Sequence, residues 1–383
     1  MSSTIGSHFK VTTFGESHGP ACGAVVDGLP AGVIIDQAKL QKYVDRRRPG
    51  QKHTTSRKEA DFVEILSGVY KGISLGTPLA MLVRNREARS QDYQELASVY
   101  RPCHGDYPWQ LKYGWRDPRG GGRASGRETV SRVMAGAIAE QFLEQYFATI
   151  ESEHRFGVVA WLESLGSLCV RYAPDEFEDY LEHLTREEID ASIARCPQRK
   201  LEPLLEKALS EAQSNGNSWG ARVVFAVRGL PPGIGEPVFA KLNSRLAEAI
   251  ISIPSAKGVE FGQGFQLCSL RGDQANDCWI PSSDDSAGQP RLATNRQGGI
   301  WGGLSTGATI WGRVAFKPTP SISLPQTALN TEQKTQTISI KGRHDPCTAI
   351  RALPVLEAML TITIADLVLA GELSRMEQLT INN

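Results

Sequence analysis

A chain of 383 residues that is 40% hydrophobic and 22% charged carries enough apolar material for a large buried core, which excludes a disordered chain. Lys+Arg and Asp+Glu balance at 42 each, so no global field draws it to nucleic acid or to an anionic membrane. The seven cysteines (Cys22, Cys103, Cys169, Cys196, Cys268, Cys278, Cys347) are scattered without a C-x-x-C pair, which suits a reducing cytosol and argues against a zinc cluster.

Met1–Lys10 has no basic region followed by an apolar run, so no export signal is expected. Val11–Gly28 reads as strand, loop, strand, with the loop at Gly15-Glu-Ser-His-Gly-Pro20. Asp36 caps a helix that runs to Arg48 and is stopped by Pro49. Phe62–Leu66 and Leu79–Val83 read as strands joined through Gly72 and Gly76, and Glu87–Arg123 as one long polar loop. Ser125-Gly-Arg-Glu128 matches a capping box, and Val130, Met134, Ala137, Ile138 and Phe142 then fall on one helical face.

Asp175–Arg195 is acidic and helical in character, and Pro203–Ser214 is a second helix. Together, 177–215 reads as a surface helical excursion. Ala221–Val227 is a strand, Glu236–Ile251 a helix, and Gly272–Gln297 a polar loop that ends in Gly298-Gly-Ile-Trp-Gly-Gly303. Thr309–Phe316 and Thr335–Ile340 are strands, and a last helix runs to about Leu373. Its apolar part, Met359–Gly371, is short and contains Asp366, so it reads as a buried helix rather than a membrane span. With no solenoid repeat and no linker, the pattern is one α+β domain over 1–383 with long functional loops.

Positive charge gathers in three places: Arg46, Arg47, Arg48, Lys52, His53, Arg57 and Lys58; Arg116, Arg119, Arg123, Arg127 and Arg132; and Lys341, Arg343, His344 and Arg351. Each could be solvated surface with ordinary ion pairs. Placed beside glycines or a helix terminus, they also suit a polyanionic small ligand, since guanidiniums grip phosphate and carboxylate and a helix N-terminus adds free N–H groups. In Arg119-Gly-Gly-Gly-Arg-Ala-Ser125 the glycines let backbone approach a ligand closely. The rival reading, an Arg-Gly RNA-binding tract, is weakened because the motif occurs once and opens a helix. Neither a Rossmann fingerprint nor a P-loop is present.

His18 lies in a glycine-flanked turn beside Ser17, His104 follows a proline loop, and His344 precedes Asp345. Each histidine is either structural or an acid–base group. Asp345 is either a turn former before Pro346 or a carboxylate held in an anion-lined pocket. Lys317-Pro-Thr-Pro-Ser321 is either a strand terminator or a rigid loop against a cofactor.

Taken in order, these segments resemble the chorismate synthase family along essentially the whole chain. The resemblance is carried by Phe14-Gly-Glu-Ser-His-Gly19, Arg46-Arg-Arg-Pro-Gly50, Arg89-Ser-Gln-Asp-Tyr93, Arg101-Pro-Cys-His104, Arg119-Gly-Gly-Gly-Arg-Ala-Ser125, Gly298-Gly-Ile-Trp-Gly-Gly303, Lys317-Pro-Thr319 and Gly342-Arg-His-Asp-Pro-Cys347. It implies a single-domain β-α-β sandwich, assembled as a homotetramer in the cytoplasm. The implied activity is a lyase reaction: anti-1,4-elimination of phosphate from 5-enolpyruvylshikimate-3-phosphate to give chorismate, on the shikimate pathway to aromatic amino acids. The implied cofactor is reduced FMN with no net redox change, because the hydrogen lost is not acidic and phosphate leaves from a distant carbon. NADPH enters only indirectly, through a separate flavin reductase.

By the same resemblance His18 protonates the departing phosphate, His104 holds the flavin protonated, and Asp345 acts with the flavin in taking the proton. Ser17, Arg47, Arg57, Arg127 and Arg343 bind the substrate. Arg123, Ala124, Ser125, Ser255, Gly302, Lys317, Pro318, Thr319, Pro320, Ser321 and Arg343 line the FMN site, and Arg47 and His53 could touch NADP. His53 stands where many relatives carry arginine, Pro254-Ser255 replaces an Asn-Ala pair, and Ala124 and Gly126 replace Ser and Ala. Two alternatives stay open: a bifunctional synthase that reduces its own flavin with NADPH, and a polyanion- or RNA-binding module.

Overall fold

The computed structural model describes residues 3–50, 60–86, 97–149, 155–281, 290–340, 344–372 and 374. The N-terminal part builds an antiparallel sheet from chain neighbours. β1 (Thr4–Ile5), β2 (Lys10–Phe14) and β3 (Ala21–Asp27) precede α1 (Gln37–Arg47), β4 (Glu64–Ile65), the small hairpin β5 (Val69–Tyr70) and β6 (Ile73–Ser74), and β7 (Leu79–Arg84). The sheet order is β1-β2-β3-β7-β4. In β7 buried Leu79, Met81 and Val83 alternate with more exposed neighbours, the period of a sheet with one dry face. As expected, Asp36 caps α1: its carboxylate accepts from the N–H groups of Ala38 and Lys39.

Next come β8 (Val99–Tyr100), α2 (Asp106–Tyr113), α3 (Thr129–Ala148), β9 (Gly157–Leu165), β10 (Leu168–Cys169), α4 (Pro174–His183), α5 (Arg186–Asp190), α6 (Glu202–Ser214), β11 (Ala221–Arg228), α7 (Leu242–Ile251) and β12 (Ala256–Phe261). The short α8 (Gly272–Ala275) and the hairpins β13 (Trp279–Ile280)/β14 (Arg291–Leu292) and β15 (Ile300–Trp301)/β16 (Leu304–Ser305) lead to β17 (Ile310–Phe316), then β18 (Gln326–Asn330), β19 (Thr335–Ile338) and α9 (Ala349–Gly371). The second five-stranded sheet has the order β10-β9-β11-β17-β12, antiparallel throughout.

The two sheets enclose a helical layer. α3 packs on β2, β3 and β7, α9 packs on β9 and β11, and the two helices pack on each other. The architecture is thus the expected α+β arrangement of sheet, helices, sheet. α3 and α9 approach closely at Gly136, where a Cβ would lie 2.3 Å from Ala358 Cβ. Because α9 is enclosed on all sides, its 18-residue apolar window is 94% buried, which accounts for its composition without a membrane. The segment 177–215 is helical, and it has a packing role: Leu181, Leu184 and Ile189 cover Val159, Trp161, Val224, Ala226 and Trp311 on the outer face of the second sheet.

Four local expectations are corrected. Ser125 caps a 3-10 turn at Gly126–Glu128, accepting from the Arg127 N–H, and the α-helix starts only at Thr129. Glu128 pairs with Arg132 one turn on (3.0 Å) instead of reaching back to close a capping box. The span Glu87–Arg123 is not one loop, for it holds β8 and α2. The helix expected at Glu236–Ile251 starts at Leu242, since Pro237 and the bridge Glu236↔Ala240 hold the preceding residues in a loop.

Candidate active site

The glycine loop before α3 holds the site's centre. Gly120, Gly121 and Gly122 have φ of 67°, 94° and 53°, the left-handed region that side chains disfavour. A Cβ on Gly120 would lie 2.3 Å from His18 Cε1 and 2.5 Å from its Nδ1. A Cβ on Gly121 would lie 2.7 Å from His104 Cε1 and 3.2 Å from its Nε2. Consecutive glycines therefore lie against two histidines that are far apart in sequence, and only a residue without a side chain fits either place. His18 is buried in the β2–β3 loop. Its Nδ1 is 3.1 Å from Ser17 Oγ, which also donates to the Arg119 carbonyl (3.4 Å).

His104 ends the turn that starts α2. Its Nδ1 is 3.0 Å from Asp106 Oδ1, and Asp106 is gripped by Arg101 through Nε and Nη2, each at 2.8 Å. Burial raises the Asp106 pKa, but the hydrogen bonds from Arg101 and His104 outweigh it and hold the carboxyl well below its usual range. Lys317, just past β17, donates from Nζ to the Cys103 carbonyl (2.9 Å), and its own N–H bonds to the Ser255 carbonyl (2.9 Å). Thr319 Oγ1 donates to the Asp345 carbonyl (2.8 Å). The loop 317–321 thus links the His104 turn to the Asp345 turn.

Asp345 accepts from Arg351 Nη1 (2.8 Å), and Arg351 Nε donates to the Arg47 carbonyl (3.2 Å). Arg47, at the end of α1, is 3% exposed. Its Nε donates to Thr129 Oγ1 and its Nη2 to the Gly126 carbonyl (2.6 Å). Arg47 Nη1 makes no hydrogen bond among the described residues, and its nearest carboxylate oxygen there is Asp61 Oδ2 at 3.7 Å. Asp61 is shared with Arg127, whose Nη1 donates to Oδ1 (2.6 Å) while its Nε donates to Asn85 Oδ1 (2.9 Å). Burial, then repulsion by Arg351 and Arg127, pushes the Arg47 pKa down to about 9, against the pull of Asp61 and Asp345. Arg47 is still charged at neutral pH, and a dry guanidinium with an unused donor favours an incoming anion.

One hydrogen-bonded neighbourhood therefore holds Ser17, His18, Arg47, His104, Arg127, Ser255, Lys317, Thr319 and Asp345. Arg123 joins it through Thr13 Oγ1 (2.7 Å), and Ala124 and Ser125 follow on the same loop. Pro318, Pro320 and Ser321 belong to the 317–321 loop. Gly302 is placed elsewhere. It turns the β15–β16 hairpin, whose Gly303 carbonyl accepts from Leu242 N–H (2.8 Å), and the Gly298 that precedes the hairpin packs on Gly262 and Trp311. That is the Ile310 end of β17, and Lys317 follows the other end, about 20 Å away along a strand of this length. Arg57, His53 and Arg343 lie outside the described residues.

The arginine clusters divide. Arg46 faces away from the site, to Asp190 and the buried Glu357; Arg116, Arg119 and Arg132 have Asp106, Asp117 and Glu128 as partners. For these the ordinary ion-pair reading holds. Sequence reasoning missed Asp61, Asn85 and Asp106. Only Asp106 left a signal, the His-x-Asp spacing from His104; Asp61 and Asn85 are isolated polar residues brought in by folding.

The fold and site fit an enzyme that acts on a small molecule: two histidines, a carboxylate and a dry arginine share one neighbourhood on a sandwich scaffold. The chorismate synthase family model matches residues 9–369. Chorismate synthases of Synechococcus sp. (strain WH7803) and Porphyromonas gingivalis are 45% and 42% identical over 367 and 375 residues, covering 96% and 97% of this chain and 97% of each relative. A crystal structure of chorismate synthase superposes with a TM-score of 0.74 at 27% identity, covering 98% of this chain and 96% of that one. The chain belongs to the chorismate synthase family and is a lyase of aromatic amino acid biosynthesis.

Proposed function

We propose that this chain removes phosphate from 5-enolpyruvylshikimate-3-phosphate by anti-1,4-elimination, with reduced FMN bound in the neighbourhood of the glycine loop. The observation that carries the reading is the contact of Gly120 with His18 and of Gly121 with His104, on a loop whose Gly126 is held by buried Arg47, a guanidinium with one donor unbonded among the described residues. The residues present fit a flavin. Positive-φ glycines allow close backbone approach, and Arg123, Ala124, Ser125, Ser255 and the 317–321 loop converge on the His104 turn from separate elements. When bound, reduced FMN supplies transient electron density to a substrate whose C–H bond no ordinary base could break.

The chain's own residues do the rest. Arg47 and Arg127, with Arg57 and Arg343, hold the phosphate and carboxylates. His18, supported by Ser17, donates a proton to the leaving phosphate. His104 holds a proton at the flavin, and Asp345, oriented by Arg351, acts in the removal of the substrate proton. The flavin reaches the site already reduced by a separate reductase, so NADPH acts only indirectly, and the working form is a cytoplasmic homotetramer. The test is anaerobic turnover with chemically reduced FMN. Chorismate is expected with dithionite-reduced FMN and not with NADPH and oxidised FMN alone. Bleaching of the flavin by NADPH alone would make the chain bifunctional, and no chorismate under either condition would end the proposal.

A further inference from the structure

Asp106 is the first residue of α2, and its side chain is 3% exposed. Oδ2 accepts from the Arg101 N–H (3.1 Å) and from Arg101 Nε (2.8 Å), and Oδ1 accepts from Arg101 Nη2 (2.8 Å). Arg116 Nη1 stands 3.5 Å from Oδ1. His104 Nδ1 is 3.0 Å from that same Oδ1 and 3.1 Å from Arg101 Nη2. We propose that Asp106 is a positioning residue for His104: it fixes the neutral imidazole as the Nδ1–H tautomer and leaves Nε2, on the edge facing Gly121, to exchange a proton with the site.

The donor inventory decides between the two neighbours of Nδ1. A guanidinium only donates, an ionised carboxylate only accepts, and a ring nitrogen carries either a hydrogen or a lone pair. Arg101 Nη2 gives one hydrogen to Oδ1 and has a second that a bare Nδ1 could accept at 3.1 Å, so the choice turns on Oδ1. A lone pair on Nδ1 would face an anionic oxygen at 3.0 Å, whereas an N–H there makes a charge-assisted hydrogen bond. Among the described residues, the groups facing the ring are Asp106 from α2, Arg101 from the preceding turn, Arg116 behind the carboxylate, the backbone of Gly121, and the Lys317 ammonium at the Cys103 carbonyl. Of these, only Asp106 offers Nδ1 a charged acceptor. The inference rests on the proposed acid–base role of His104.

Asp106→Ala makes the test sharp. With the carboxylate gone, the group left within hydrogen-bonding distance of Nδ1 among the described residues is Arg101 Nη2 (3.1 Å), which only donates, so Nδ1 keeps a lone pair and the neutral ring becomes the Nε2–H tautomer. Ring 15N spectra of the flavin-free protein, with the histidine neutral, are expected to show Nδ1–H for His104 in the wild type and Nε2–H in the variant. With reduced FMN, kcat should fall by about 10²-fold or more, as for other histidines given the wrong tautomer, while KM stays within about twofold. An Nε2–H tautomer in the wild type overturns the inference, and so does a variant with unchanged kcat or an unchanged tautomer. If Asp106→Ala fails to fold, the wild-type spectrum alone decides. Turnover with an Nε2–H wild type sinks only this inference; an Nδ1–H wild type that makes no chorismate sinks only the functional reading.

Discussion

Gly120 and Gly121 show how much a missing methyl group can decide. A Cβ at either place would overlap a histidine ring, and both positions have positive φ, so alanine would meet a clash and about 1 kcal/mol of backbone strain. Gly121→Ala is expected to displace His104 and lower kcat by about 10²-fold, with the thermal midpoint reduced by only a few degrees. Steady-state rates beside a melting curve check this. Asp106 predicts a pH signature in stability. Its folded pKa lies below the ordinary 3.8, so its contribution is complete above that value and lost as pH falls below it. The stability gap between wild type and Asp106→Asn, read by urea titration, should be constant at neutral and mildly acidic pH and close below about pH 4. That His18, His104 and Asp345 share one neighbourhood was legible in the sequence because each is a rare or constrained residue inside a distinctive motif. Asp61 was not, since nothing local distinguishes a carboxylate that two distant arginines come to share.

At the scale of elements, hydrophobic period and caps revealed what is local. Asp36 and α1, the strands around Ala221–Val227 and Thr309–Phe316, and the final buried helix all follow from such signals. β9 escaped notice. Gly157–Leu165 is buried on both faces, by α9 on one side and the α4–α5 layer on the other, so it lacks the alternation that marks a half-exposed strand. α2 was hidden by its weak apolar pattern, and it is bounded by Gly105 and by Gly114 at φ 69°. The crossing of α3 on α9 depends on Gly136, where a Cβ would stand 2.5 Å from Ala358 Cα. Gly136→Val is therefore expected to cost about 1–3 kcal/mol or more through overpacking. A lowered urea midpoint would show it, and an unchanged midpoint would mean the helices separate without loss.

For the molecule as a whole, the sandwich brings together segments that are remote in the chain. The β2–β3 loop supplies His18, the turn before α2 supplies His104, the end of α1 supplies Arg47, and the turn before α9 supplies Asp345. Fold class and the main site segments could be read in advance, because whole-chain motif order carries that information. The position of Gly302 by the Ile310 end of β17 could not, since which end of a strand a neighbouring hairpin packs against is a tertiary fact. The most direct measurement of the shared site is an experimental structure with oxidised FMN and 5-enolpyruvylshikimate-3-phosphate both bound. The flavin and the substrate should lie in contact with each other, with the substrate phosphate beside His18 and the flavin ring within reach of His104 and Asp345. Density for either molecule at another face of the sandwich, with the glycine loop and its two histidines untouched, would contradict this.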